Sequence, residues 1–274
     1  MRIFRFRSAA PGREENMPPL AALVFDVDGT LADTERDGHR VAFNRAFAEA
    51  GLTWHWDVAR YGQLLRVTGG KERIRQYLSE DWPDLLREPG IDARIRALHA
   101  AKTRHYVALL ETGAIPLRPG VRRLLEEARA SGLRLAIATT TTPENVTALL
   151  QATLGAEGVG WFEVIAAGDV VPAKKPAPDI FHRALQALDL PPDACLAFED
   201  SDNGVRAARG AGLPVIVTTN GYTRDQNFAG ALVVLDGFGE PDAPATVLAG
   251  PAPVSPYVDV PSLLHWHRLI QGRT

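Results

Sequence analysis

Short apolar runs that alternate with amphipathic helical patterns restrict the fold of this chain more than any other feature of its sequence. The apolar runs lie at 21–25, 133–138, 162–166, 194–198 and 214–217, and the helical patterns at 121–130, 144–151, 179–188 and 203–211. Strands and helices of these lengths in this order predict an α/β fold with a Rossmann-like parallel sheet covered on both faces. Ligands of such sheets bind beyond the carboxyl ends of the strands.

A long interval without strand patterns, 35–111, interrupts the alternation directly after the first strand. Its helical patterns lie at 35–50, 58–65, 70–78 and 92–110. They predict an inserted α-helical cap domain above a core formed by 20–34 and 112–274, in the manner of a movable lid. At the two ends we expect a disordered extension at 1–19, a linker rich in Pro, Gly and Ala at 237–256, and a C-terminal segment at 257–272 with an amphipathic helix at 260–270.

Charge and composition favour a small-molecule substrate. The chain has 274 residues, with 30 Lys and Arg against 33 Asp and Glu and a formal net charge of -3. This balance gives no general attraction to nucleic acid or acidic membranes, and no stretch approaches the ~20 apolar residues that span a bilayer. The single cysteine, Cys195, excludes an internal disulfide. We therefore expect a protein of the reducing cytoplasm that binds neither nucleic acid nor membranes. The oligomeric state is not readable from the sequence, and a monomer is the default expectation.

Acidic side chains follow two of the predicted strands. Asp26 and Asp28 come after the first strand, and Glu199 and Asp200 after the fourth. Buried carboxylates repel one another unless a cation or hydrogen bonds compensate their charge. Because the ends of parallel strands can converge at one edge, these carboxylates predict a Mg²⁺ site there. A simple helix cap is the alternative for Asp200 alone.

A hydroxyl-rich turn and a lysine pair add groups that could bind an anion. Thr139, Thr140 and Thr141 lie between the second strand and a helix, so hydroxyls and free backbone amides face the same edge. Lys174 and Lys175 follow the third strand, and the proline after Lys175 favours an extended conformation in which one lysine points inward. Taken singly, these residues are also explained as a capping turn and solvated lysines. Together with the carboxylates they form the set that phosphoryl transfer requires.

Four strings in sequence order resemble the motifs of haloacid dehalogenase (HAD) superfamily phosphatases. They are Asp26-Val27-Asp28-Gly29-Thr30, Thr139, Lys175-Pro176 and Glu199-Asp200-Ser201. The resemblance implies a HAD-like core in which Asp26 attacks phosphorus, while Asp28 protonates the leaving oxygen and then activates water. It also implies that Thr139 and Lys175 bind the transferring phosphoryl group. The implied Mg²⁺ ligands are Asp26, the backbone carbonyl of Asp28, Asp200 and, as a ligand or as a partner of the ligands, Glu199.

The insertion resembles that of the CbbY-type xylulose-1,5-bisphosphate phosphatases. The strings are Thr68-Gly69-Gly70-Lys71-Glu72-Arg73, His99-Ala100-Ala101-Lys102-Thr103, Ala138-Thr139-Thr140-Thr141 and Glu35. The resemblance implies release of xylulose 5-phosphate and a role beside the Calvin cycle. We expect the cap cations to bind the distal phosphate and Glu35 the sugar hydroxyls, although a solvated helix surface would also explain the cations. The expected substrate-binding residues are Asp26, Glu35, Gly69, Gly70, Lys71, Glu72, Arg73, His99, Lys102, Thr139, Thr140, Thr141 and Lys175.

The core motifs leave the substrate open. A beta-phosphoglucomutase, a phosphoglycolate phosphatase or a hexose-phosphate phosphatase would carry the same motifs, and a mutase would need a bisphosphate primer. A signalling receiver domain also places aspartates, a hydroxyl and a lysine at a sheet edge, but the helical insertion and the second acid, Asp28, argue against it. An inactive binding protein is disfavoured because every catalytic position is filled.

Overall fold

The computed structural model describes residues 18–272, so nearly all of the extension predicted at 1–19 lies outside the described part. The strands there are β1 Ala22–Phe25, β2 Arg134–Thr139, β3 Val164–Ala167, β4 Cys195–Glu199, β5 Val215–Thr218, β6 Val233–Leu235 and β7 Val247–Ala249. They form one sheet in the order β3-β2-β1-β4-β5-β6-β7. All neighbouring pairs are parallel except β6 and β7. The predicted α/β class and parallel sheet are confirmed.

Helices connect these strands. In the described part, the α-helices are α1 Arg40–Glu49, α2 Val58–Leu64, α3 Gly70–Asp81, α4 Ile91–Glu111, α5 Val121–Ala130, α6 Pro143–Leu154, α7 Asp179–Leu188, α8 Asp202–Gly210 and α9 Val260–Ile270. A π-helical turn, Glu35–His39, precedes α1, where the sequence predicted one uninterrupted helix. No helix within 18–272 is long and apolar enough to cross a membrane.

The β7 strand corrects the linker predicted at 237–256. It pairs antiparallel with β6, which the sequence prediction also missed. Both strands have three residues, too few to display a pattern of alternating burial, and the surrounding Pro and Gly favour a loop in any local prediction.

Alternate residues of the central strand point to opposite faces of the sheet, as strand geometry requires. Leu23 and Phe25 belong to an apolar cluster under α5, α6 and α9, whereas Ala22 and Val24 belong to a second cluster under α7 and α8. Trp266 of α9 is fully buried in the first cluster. The C-terminal helix therefore completes one face of the core, as its amphipathic pattern predicted.

A third apolar cluster lies within 35–111, the segment between β1 and β2 that we call the cap. Its aromatic residues include Phe43, Phe47, Trp54 and Trp56. Phe47 and Trp56 pack edge to face at 4.9 Å between ring centroids, a geometry that stabilises aromatic pairs. Because a segment with its own core can move as a unit, we propose that 35–111 is a cap domain.

Candidate active site

Three buried carboxylates converge where β1 and β4 lie side by side. Asp26 follows β1, Glu199 ends β4 and Asp200 follows it. The register that pairs Phe25 with Phe198 brings these residues together. One oxygen of each carboxylate lies within 4.8 Å of the others. This acidic triad could hold a metal ion.

The charge of the acidic triad is only partly compensated by protein groups. Lys175 Nζ donates to Asp26 Oδ1 and to Glu199 Oε1, each at 2.6 Å. Desolvation by burial raises the pKa of Asp26 and of Asp200, and it raises the pKa of Glu199 to about 8. One ammonium thus faces three carboxylates, and the uncompensated charge favours proton uptake. A divalent cation would remove this excess, and hard oxygen donors are the ligands that such cations prefer, so the residues fit a divalent metal.

The surroundings of the triad fix its side chains. Asn220 Nδ2 donates to Asp200 Oδ2 at 2.7 Å. Ser201 is the N-cap of α8, and its hydroxyl accepts from the Gly204 backbone N–H at 3.2 Å. The capping interpretation therefore applies to Ser201, and Asp200 is left for the site. A Cβ on Gly204 would lie 1.8 Å from Glu199 Oε2, so α8 can pack over this carboxylate only with glycine at that position.

The carboxylate of Asp28 contacts residues other than those that surround the acidic triad. Its Oδ1 accepts from Thr34 Oγ1 at 2.6 Å and lies 2.8 Å from His39 Nε2. His39 Nδ1 in turn lies 2.9 Å from Lys102 Nζ. Burial opposes ionisation of Asp28, but His39 and Thr34 together hold its pKa well below the ordinary value. The side chain of Asp28 is held by these contacts and is not part of the acidic triad. The metal role predicted for its backbone carbonyl stays a prediction.

Hydroxyl groups at the end of β2 form the neighbouring wall. Thr139 is the last residue of β2 and not, as predicted, the first residue after it. Its Oγ1 accepts from the Thr141 backbone N–H at 3.3 Å. Thr142 is the N-cap of α6, yet its side chain makes no capping hydrogen bond with the described residues. The turn thus keeps Thr139 and Thr140 at the sheet edge.

A cavity of about 550 Å³ lies between the sheet edge and the cap. On the core side it is lined by Asp26, Asp28, Thr139, Thr140, Lys175 and Asp200. On the cap side, Arg73 Nη1 donates to Tyr61 Oη at 2.8 Å and lies 3.7 Å from Glu35 Oε2. Tyr61 also donates to Glu35. The predicted phosphoryl-binding and sugar-binding groups therefore border one space, with buried Arg73 as a cation in its cap wall.

Other predicted cap residues lie outside the lining of this cavity. Lys71 pairs with Asp169, and Lys174 bridges Asp169 and Glu72 at 3.0 and 2.9 Å. These pairs join the start of α3 to the loop after β3. Four further cap residues also lie outside the lining, namely Gly69, Gly70, His99 and Lys102. The same holds for Thr141 in the core. The expected substrate-binding residues therefore fall into two groups, those that line the cavity and those that do not.

The sequence prediction missed several residues that organise the site. They are Thr34, His39, Tyr61, Arg118 and Asn220. None belongs to a local motif. The sequence separation between each of these residues and its partner in the site ranges from 6 residues, for Thr34 and Asp28, to 89 residues, for Arg118 and Gly29. A polar residue of this kind gives no signal until the fold brings it beside its partner.

Sequence comparison assigns the chain to a family. Haloacid dehalogenase-like hydrolases match the chain over residues 20–212. The chain belongs to this hydrolase family. It is 49% identical over 248 residues to the plasmid-encoded protein CbbY of Cupriavidus necator, covering 90% of this chain and 97% of that protein. CbbY of Rhodobacter capsulatus is 54% identical over 212 residues, or 77% and 91% of the two chains.

A solved structure extends this likeness to three dimensions. The crystal structure of a CbbY mutant from Rhodobacter sphaeroides in complex with xylulose 1,5-bisphosphate has a TM-score of 0.72 and 49% identity, covering 80% of this chain and 94% of that chain. This HAD-like hydrolase is therefore a phosphatase of CbbY type, and the family resemblance of its sequence motifs is confirmed.

Proposed function

We propose that this HAD-like hydrolase converts xylulose 1,5-bisphosphate to xylulose 5-phosphate and inorganic phosphate, with Mg²⁺ in the acidic triad. The observation that carries the proposal is the buried Asp26 carboxylate on the core side of the cavity, held by Lys175 next to two further carboxylates. The sugar bisphosphate in the Rhodobacter sphaeroides CbbY structure supports the choice of substrate.

The proposed chemistry begins at Asp26. Lys175 binds one of its oxygens, Oδ1, which leaves the other to attack phosphorus while the bond from phosphorus to the C1 oxygen breaks. Asp28 gives its proton to that leaving oxygen. A water molecule then attacks the aspartyl phosphate, Asp28 accepts its proton, and the Asp26 carboxylate is restored. Mg²⁺ would supply positive charge to the phosphoryl oxygens throughout.

Proton transfer depends on the contacts of Asp28. With the pKa of Asp28 lowered by its partners His39 and Thr34 against the effect of burial, the carboxylate is ionised in this conformation. The ionised form is the one that accepts a proton from water. The acid step needs the protonated form, and a phosphate group entering beside Asp28 favours it through like-charge repulsion.

Recognition of the rest of the substrate falls to the cap. We assign Glu35 to the sugar hydroxyls and Arg73 to the distal end, because both line the cavity and Arg73 is buried. Lys71, His99 and Lys102 stay predictions for distal phosphate binding. Lys71 could act there only by leaving its ion pair with Asp169.

Phosphate release over a substrate panel tests the proposed function. We expect kcat/KM for xylulose 1,5-bisphosphate to exceed those for ribulose 1,5-bisphosphate, phosphoglycolate and beta-glucose 1-phosphate by at least about tenfold, since polar groups of the cap discriminate between hydroxyl arrangements. Steady release without a bisphosphate primer would separate the phosphatase from a mutase. Comparable rates on ribulose 1,5-bisphosphate would contradict the assignment.

Without metal, we expect the contribution of Glu199 to the free energy of unfolding to fall as pH rises from about 4.5 to about 8. Burial raises the pKa of Glu199 from 4.5 to about 8. Between these values the folded protein retains a proton that the unfolded chain releases, so stability is lost as pH rises. Mg²⁺ should oppose the loss and stabilise the fold by about 2.7 kcal/mol at 100 times its Kd.

Thermal melting in chelator and in Mg²⁺, at about pH 5 and about pH 8, measures this effect. The matched variant Glu199→Gln should have a flatter pH profile in chelator because the titrating carboxyl is gone. Equal pH profiles of Glu199→Gln and the unmodified protein in chelator would contradict the assignment of this titration to Glu199.

A further inference from the structure

Arg118 is a buried arginine that the proposed chemistry does not use. It lies in the turn before α5, is 8% exposed, and its backbone N–H donates to Leu31 O at 2.9 Å. Its guanidinium donates to the carbonyl oxygens of Gly29, of Thr218 at 3.2 Å, of Thr219 at 2.6 Å and of Asp236 at 3.2 Å, and to Thr218 Oγ1 at 3.1 Å. One side chain thus binds four backbone carbonyls.

These carbonyls belong to three different strand ends. Gly29 lies in the turn after β1, Thr218 and Thr219 lie at the end of β5, and Asp236 follows β6. In the sheet, β4 lies between β1 and β5. The guanidinium therefore ties together the loops on both sides of the strand that carries Glu199 and Asp200.

Both segments held by Arg118 touch the same oxygen of the acidic triad. Asn220, the residue after Thr219, donates to Asp200 Oδ2 at 2.7 Å. On the other side, a Cβ on Gly29 would lie 2.2 Å from Asp200 Oδ2 and 2.5 Å from Asn220 Nδ2. The Gly29 backbone and the Asn220 amide thus enclose this carboxylate oxygen, and each is fixed through a carbonyl bound to Arg118.

We propose that Arg118 is a positioning residue for the metal site. By holding Gly29 and Thr219 at a fixed separation it sets the position of Asp200, which it does not itself contact. Loss of a group that bonds directly to a metal ligand typically changes metal affinity by about 10- to 100-fold. Arg118 acts one contact further out, through the Gly29 backbone and Asn220. The inference rests on the proposed function only through the assignment of Mg²⁺ to the triad.

The shape of the side chain is essential to this role. A guanidinium presents five N–H donors in a planar fork, so it can bind several carbonyls at fixed angles, whereas a lysine ammonium on a flexible stem cannot reproduce that geometry. Arg118→Lys keeps the charge and removes the fork. It is therefore the variant that isolates positioning from electrostatics.

The test is Mg²⁺ binding to the chelator-treated full-length protein, measured by isothermal calorimetry and by the Mg²⁺-induced shift in melting temperature. We expect Arg118→Lys to raise the Kd for Mg²⁺ by about tenfold or more. The matched control is Arg123→Lys. Arg123 is a partly buried arginine that also donates to two backbone carbonyls, of Gly239 at 2.8 Å and Val258 at 3.0 Å, on the C-terminal segment. The Arg123→Lys variant should have a lower melting temperature and an unchanged Kd for Mg²⁺.

The possible outcomes distinguish failure of the metal assignment from failure of the positioning role of Arg118. If the unmodified protein does not bind Mg²⁺, the metal assignment itself fails. If it does, and Arg118→Lys binds Mg²⁺ as tightly as Arg123→Lys, only the positioning role is refuted. Should Arg118→Lys fail to fold, Thr218→Val removes one acceptor of the same guanidinium, and it should weaken Mg²⁺ binding in the same direction. An unchanged Kd in that variant would also refute the role.

Discussion

Replacing Asp26 with asparagine is expected to lower kcat for phosphate release by about 10⁴-fold or more while the protein remains folded. The amide has nearly the shape of the carboxylate but lacks the anionic oxygen that attacks phosphorus, and loss of a covalent nucleophile has effects of this order. The fold should tolerate the change, because Lys175 keeps its contact with Glu199. Phosphate release and thermal melting of the same preparation measure both effects.

The control for Asp26→Asn is Asp202→Asn. Asp202 lines the same cavity but is bonded to Arg206 at the surface, so its amide should retain most of the activity. Fluoroberyllate in the presence of Mg²⁺ should form an adduct with the unmodified protein at Asp26 and none with Asp26→Asn. Normal turnover by Asp26→Asn would refute the aspartyl-phosphate mechanism.

The meeting of the proposed catalytic groups at one edge of the sheet could be predicted from local sequence because parallel strands share a direction. Each of Asp26, Thr139, Lys175 and Asp200 ends or follows a predicted strand, and the sheet places all four against one cavity. Strand and turn patterns alone left open which lysine of the pair points inward, whereas the motif resemblance implied Lys175. In the structure Lys175 is buried against Asp26 and its neighbour faces the cap.

The groups that orient the site could not be predicted because their contacts are set by tertiary structure. His39 reaches Asp28 from a π-helical turn that the helical pattern did not reveal. Asn220 reaches Asp200 from a loop after β5. Neither residue belongs to a recognised sequence motif. Polar loop residues are common, so the sequence alone gives no reason to select these two.

In the cap, residue type alone does not predict which cationic side chain borders the cavity. Lys71 and Arg73 are two positions apart on α3. The sequence assigned both to the distal phosphate because of their charge, the glycines beside them and the resemblance of the insertion. In the fold, Arg73 turns into the cavity wall beside Tyr61, whereas Lys71 pairs with Asp169 at the seam. Residues two apart on a helix face different directions, so the docking of α3 settles which cation borders the cavity.

Replacing Lys175 with methionine is expected to damage both activity and stability. Its ammonium is the only cationic group that contacts the acidic triad in the described part of the chain. Removing one partner of a buried ion pair costs about 3 to 5 kcal/mol of unfolding free energy. The motif resemblance also assigns Lys175 to the transferring phosphoryl group, and loss of such a donor should lower kcat by about 10²- to 10³-fold. Chemical unfolding in chelator and phosphate release in Mg²⁺ measure the two effects separately.

The neighbouring lysine supplies the matched control for this prediction. Lys174→Met removes the same charge one residue away, where the ammonium bridges Glu72 and Asp169 at the seam, and such pairs contribute about 1 kcal/mol or less. Adding Glu199→Gln to Lys175→Met should restore part of the lost stability and none of the activity, because it removes the unpaired carboxylate without returning the phosphoryl donor. Equal losses in the two lysine variants would mean that charge in general, and not the buried contact of Lys175 with Asp26, sustains the site.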